Sequence, residues 1–151
     1  AWRDECIDLL PAVSPHLSPT NVARIESFVA AEPPGEVDPA TLVLTHNDLG
    51  AEHVIVDGDG QIAGIIDWSD TAVADPAAEL GRCLRDLGDA ACARALDEFL
   101  ATSHARRSDV EQRALFYARC LAVEDMAYAV RRRRDLIELD RRNIERLFAS
   151  S

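Results

Sequence analysis

Leu44-Thr45-His46-Asn47-Asp48-Leu49-Gly50-Ala51-Glu52-His53-Val54-Ile55-Val56-Asp57 is the stretch on which the reading of this chain turns. It sets two imidazoles and the carboxylate of Asp48 close together between β-branched, apolar flanks. Residues 41–45 predict a short buried strand, and residues 53–57 a second. Gly58-Asp59-Gly60 brings hairpin turn residues, and Gln61 to Ile66 reads as the returning strand. Asp67-Trp68 closes that strand, with Asp67 fourteen residues beyond His53.

On either side the pattern changes to helical spacing. Trp2, Cys6, Ile7, Leu9 and Leu10 predict a helix that stops at Pro11. Ser18-Pro19 predicts a second start, because Ser caps well and Pro suits the first helical position. Its stripe is Val22, Ile25, Phe28 and Val29, and Pro33-Pro34-Gly35 ends it. Asp75-Pro76 repeats the start signal for a helix reaching Gly88, and another runs from Asp89 to Ser103. Ser108-Asp109-Val110-Glu111 reads as a capping box that opens a long helix with Leu115, Ala118, Ala122, Met126 and Ala129 on one stripe. A last helix carries Leu136, Ile137, Ile144, Leu147 and Phe148. Helices, a small β island, then helices make an α+β domain, mostly helical, without internal repeats.

The 151 residues suffice for one domain with a core. With 48% hydrophobic and 28% charged residues the composition is that of an ordinary globular chain. No apolar run approaches the roughly 20 residues of a membrane span, and nothing resembles a signal peptide, so a cytoplasmic protein is expected. A net charge of −11 argues against nucleic acid as a partner and is compatible with a cationic substrate or simply with solubility. Cys6, Cys83, Cys92 and Cys120 have no C-x-x-C spacing and read as small buried apolar residues.

The spacing His46-x-Asp48-x4-His53 has a chemical logic. One carboxylate can hold a hydroxyl and take its proton, while a second group five residues on reaches a metal ion bound to phosphates. An Asp after a hairpin, here Asp67, suits a further metal contact. His-Asn-Asp-x4-His, a hairpin and then Ile-Ile-Asp-Trp resemble the aminoglycoside and macrolide phosphotransferases and their choline-kinase-like relatives. Thr71 to Leu80, with Asp75-Pro76 opening a helix, continues the likeness, which is firm over residues 40–90.

The resemblance implies a protein-kinase-like C-terminal lobe. Residues 1–40 would be a helical lead-in, 41–75 the β island with the catalytic and metal-binding residues, and 76–151 a helical subdomain. It implies Asp48 as the catalytic base and Asp67 as a metal ligand. His53 stands where most members carry Asn; some relatives, the macrolide kinases among them, look similar in carrying His there, and His53 is a second metal candidate. His46 and Asn47 would support the loop, and Ile66 would form the apolar floor under the adenine ring. Asp75 is expected to be a structural cap. Mg²⁺ and ATP or GTP are the implied cofactor and co-substrate, and the acceptor is a small-molecule hydroxyl. Glu124, Asp125 and Tyr128 lie where relatives build the acceptor pocket, although an exposed helical face explains them as well.

The family grips phosphates with a Gly-rich loop and a Lys on an N-terminal β-lobe. This chain contains no Lys, and Gly58-x-Gly60-x3-Gly64 belongs to the hairpin. The N-terminal ATP lobe is therefore expected to be absent, leaving a catalytic half. A non-catalytic remnant that binds a ligand or protein is the alternative, disfavoured by the retention of Asp48 and Asp67. An iron site from His46, Asp48 and His53 would leave Asp67 unexplained. A calcium loop from Asp57 would place Trp68 where Glu is needed. The run Arg131–Arg134 suits a solvated helix C-terminus.

Overall fold

The computed structural model describes residues 2–149. In chain order its elements are α1 (Trp2–Val13), α2 (Pro19–Ala30), β1 (Val43–Thr45), β2 (Val54–Val56), β3 (Ile62–Ile65), β4 (Ala72–Ala74), α3 (Pro76–Leu87), α4 (Asp89–Thr102), α5 (Arg107–Arg132) and α6 (Ile137–Leu147). They form two compact units. One joins the chain up to Pro34 with the chain from Phe116 onward, and the other is Gly35–Leu115.

The first unit is all helix. Its core is built from Cys6, Val13, Ile25, Ala118, Ala122, Met126, Ala129, Ile144, Leu147 and Phe148, all buried. The apolar stripe expected on α5 is thus buried from Ala118 to Ala129. Phe28 meets Phe148 edge-on with centroids 5.5 Å apart, and Trp2 meets Tyr117 likewise at 5.4 Å. Ser18 caps α2 by accepting from Asn21 N–H, with Pro19 at the first position as expected. Two boundaries differ from expectation. α2 ends at Ala30, before the Pro-Pro-Gly segment. α1 continues through Pro11 to Val13. The carbonyl that loses its partner to Pro11 belongs to Ile7, which is 46% exposed, so solvent can satisfy it. At the end of α5, Arg131 Nε donates back to Ala127 O, the dipole-favourable role expected of that basic run.

The second unit holds the β island. β2 and β3 form the expected antiparallel hairpin, pairing Val54 with Ile65 and Ile55 with Gly64, with a bulge at Ile55/Val56. Asp57 closes the turn by accepting from the N–H groups of Asp59 and Gln61, and Gly60 takes φ 77°. β1 pairs antiparallel with β4, Thr45 opposite Ala72. The sequence carries no sign of β4. Its small residues carry no strand signal, and the extended state comes from pairing across 27 positions. The first strand is also not buried as expected. Leu44 is 69% exposed, and only Thr45 at its end is buried, because each ladder is a two-stranded ribbon.

α3 begins as predicted: Asp75 accepts from Ala77 N–H at 3.0 Å, Pro76 takes the first position, and Gly88 ends the helix with φ 84°. Asp75 does more than cap. It is itself buried, and it receives Arg113 Nε at 2.7 Å and Nη2 at 3.3 Å from α5. Ser108 is not a cap. α5 starts at Arg107, Arg106 O takes the N–H groups of Asp109 and Val110, and Ser108 Oγ donates to Asp109. Burial pushes the Cys83 thiol up and that of Cys92 to about 11, so both stay protonated at neutral pH. Cys6 and Cys120 are buried and unbridged. Among the described residues no helix is long and apolar enough to cross a membrane.

Candidate active site

The site forms where β1 gives out. Asn47 takes the left-handed conformation with φ 67°, which Asn tolerates better than most residues, and the chain turns at once. Gly50 N–H returns to Asp48 O at 3.0 Å, and a 3₁₀ turn, Ala51–His53, delivers His53 to the start of β2. Asp48 is left with its side chain 52% exposed.

His53 is fixed by its backbone and its ring. Its carbonyl accepts from Ile66 N–H at 3.0 Å, and its Nδ1–H donates to the Asp48 carbonyl at 2.7 Å. A carbonyl can only accept, so Nδ1 carries a proton, and in the neutral ring Nε2 is the nitrogen with the lone pair. Nε2 lies 3.9 Å from Asp67 Oδ2.

Asp67 follows β3 in a second left-handed conformation, φ 62° and ψ 61°. Ser69 Oγ donates to its Oδ1 at 2.9 Å, and its side chain is 58% exposed. Two non-glycine residues of positive φ, both in this one site, are the kind of local strain that gathers at functional positions. His46 ties the two segments together: its Nε2–H donates to Ile66 O at 2.8 Å, and its ring packs 4.8 Å from Trp68 and 5.5 Å from His53. A cavity of about 270 Å³ behind the loop is lined in part by His46, Leu49, Ile65 and Trp68. Asp48 and Asp67 lie outside it. Ile66 is half-exposed beside Asp67.

Two residues at this site escaped the sequence reading, Glu79 and Arg82 of α3. Burial raises the Glu79 pKa, while Arg82 and the N–H groups of Asn47 and His46 pull it back. Arg82 Nη2 donates to Asn47 O at 2.8 Å, and its Nη1 lies 3.6 Å from Asp48 Oδ1. Their one sequence signal was the i, i+3 acid–base spacing just after Asp75-Pro76. Glu124, Asp125 and Tyr128 lie on α5 within the other unit, Glu124 and Tyr128 exposed and Asp125 half-buried.

The profile of the phosphotransferase enzyme family APH matches residues 7–117, most of the chain. This chain belongs to that family. Viomycin phosphotransferase of Streptomyces vinaceus is 28% identical over 98 residues, 63% of this chain and 33% of that protein. YcbJ of Bacillus subtilis (strain 168) is 34% identical over 56 residues, 37% of this chain and 18% of that protein. The solved macrolide 2′-phosphotransferase type I shares the fold, with a TM-score of 0.59 at 20% identity over 94% of this chain and 47% of that one. The chain thus spans a third or less of these curated relatives and about half of the solved structure.

A divalent ion fits the donors that the site offers. Nε2 of His53 and the Asp67 carboxylate face each other across 3.9 Å, within reach of one ion with bonds of about 2.1 Å. No cluster of three His, Cys, Asp or Glu residues among the described residues could hold a metal by itself. The remaining ligands would come from phosphate oxygens and water, as Mg²⁺ commonly requires.

Proposed function

We propose that this chain is the catalytic C-terminal lobe of a small-molecule kinase. The enzyme would move the γ-phosphoryl group of ATP or GTP to a hydroxyl on an antibiotic-like acceptor. The observation that carries the reading is the linkage through His53, whose two ring nitrogens address the Asp48 carbonyl and the Asp67 carboxylate. Asp48 holds the acceptor hydroxyl in line and takes its proton as the oxygen–phosphorus bond forms. The bond to the leaving nucleoside diphosphate breaks on the far side of phosphorus. Asp67 and His53 would hold Mg²⁺, which would supply neutralisation of phosphate charge. Ile66 underlies the base. Such catalysis rests on positioning and charge neutralisation.

The names of two relatives, a viomycin phosphotransferase and a macrolide 2′-phosphotransferase, support an antibiotic-like acceptor. A cationic one suits the net charge of −11. Glu124, Asp125 and Tyr128 are the side chains we assign to it. With no Lys in the sequence, we place the cationic phosphate grip on a nucleotide-binding lobe outside this chain, which alone would turn over poorly. A cytoplasmic location, where a soluble nucleotide co-substrate is at hand, suits this reading.

The test is nucleotide turnover by the full-length protein with Mg²⁺ against viomycin, macrolides, aminoglycosides, choline and sugars. Acceptor-stimulated turnover should fall by about 10²–10⁴ in Asp48→Asn, the range general-base catalysis supplies. Nucleotide affinity should stay nearly unchanged. A variant with the wild-type rate would sink the assignment, and failure to bind nucleotide at all would favour a binding remnant.

A further inference from the structure

We propose that Arg82 is a positioning residue for phosphoryl transfer, holding the catalytic loop so that Asp48 is aimed at the acceptor hydroxyl. The inference rests on the assignment of Asp48 as the base and adds a residue outside the motif. Arg82 sits nearly two turns into α3 with its side chain only 13% exposed. Its guanidinium donates to one carbonyl and lies beside two carboxylates. Nη2 donates to the carbonyl of Asn47 at 2.8 Å, Nη1 lies 3.6 Å from Asp48 Oδ1, and Nε lies 3.8 Å from Glu79 Oε1.

The middle contact matters because of the one beside it. Asn47 has φ 67°, a conformation that costs a non-glycine residue free energy unless its surroundings hold it. Its carbonyl is the atom that Arg82 grips. The direction of the Asp48 side chain follows from the peptide that Asn47 turns, so fixing the carbonyl fixes the carboxylate. Glu79, its side chain 18% exposed, sets a carboxylate oxygen 3.8 Å from Nε on the helix side. A planar fork can serve a carbonyl and two carboxylates at once, whereas a Lys ammonium on a flexible stem cannot hold that geometry. An ordinary helix-surface pair of Glu79 and Arg82 would place neither nitrogen on the loop.

The experiment compares Arg82→Met, Arg82→Lys, Asp48→Asn and the Asp48→Asn/Arg82→Met double variant in the full-length protein, with Mg·ATP and viomycin or whichever panel acceptor is turned over. Arg82→Met should lower kcat at least 20-fold, with the KM for ATP within threefold and an unaltered circular dichroism spectrum. Combined with Asp48→Asn it should add no more than threefold to the loss, because Arg82 acts through Asp48. Arg82→Lys should restore only part of kcat, and it is the variant to read if Arg82→Met does not fold. A second readout needs no acceptor. The amide–α-proton coupling of Asn47 should show it leaving the left-handed region in Arg82→Met. Wild-type kcat in Arg82→Met or in Arg82→Lys, losses that multiply in the double variant, or an unmoved Asn47 would each overturn the proposal. Wild-type kcat in Asp48→Asn would instead overturn the assignment of the base, and the positioning role with it. An inactive Asp48→Asn beside a fully active Arg82→Met would remove Arg82 alone.

Discussion

His53 sets its Nε2 3.9 Å from Asp67 Oδ2, because its Nδ1 donates to the backbone of the same loop. An imidazole is an unusual partner for Mg²⁺, which favours oxygen, and a good one for Co²⁺. His53→Asn should therefore weaken Co²⁺ binding, read from its visible spectrum in the presence of ATP. The loss should be at least the roughly 10-fold seen when a metal site loses an outer support. Mg²⁺-supported turnover should be kept or improved. Unchanged Co²⁺ affinity would mean that the imidazole only braces the loop.

The buried pair of Asp75 and Arg113 gives a stability prediction. Their side chains are 6% and 12% exposed, and two nitrogens of Arg113 reach the carboxylate. Asn caps a helix about as well as Asp, so Asp75→Asn should keep the start of α3 while removing the counter-charge of a buried guanidinium. A loss of about 3 kcal/mol is expected, the range for breaking a buried pair from one side. Denaturant unfolding measures it. Asp75→Asn/Arg113→Met should recover part of the loss, since no unpaired charge then remains. A double variant as unstable as the sum of the singles would mean that the two residues act separately.

These residues also mark how far the sequence could be read. The caps at Ser18-Pro19 and Asp75-Pro76 and the Gly58–Gly60 turn were legible because each is settled within a few residues. Ser108 misled for the same reason in reverse. Its local pattern fits a cap, but the carbonyl of Arg106 had already started the helix one residue earlier. β4 was invisible because Ala72 and Ala74 have no strand preference and become extended only against β1. At the candidate site, spacing alone singles out Asp48, His53 and Asp67. Their left-handed supports, and the reach of Arg82 back to the loop, depend on where α3 packs, and no sequence interval encodes that.

Glu79 links the site to pH. Burial raises its pKa above the ordinary value of 4.5, so the folded chain binds this proton more tightly than the unfolded chain does. The sign follows: the stabilising contribution of the Glu79 proton is fully present below pH 4.5 and is lost as pH rises through the raised folded value. Above that window the ionised carboxylate is carried at a cost, offset in part by Arg82 and the loop N–H groups. Gln has the same shape and does not titrate. The melting temperature of the wild type minus that of Glu79→Gln should therefore be most positive in acid, fall as pH rises above 4.5, and level off above the raised folded value. Thermal melts across that range measure it. A flat difference would mean that Glu79 ionises in the fold as it does in the unfolded chain, and that its contacts with the loop fully repay its burial.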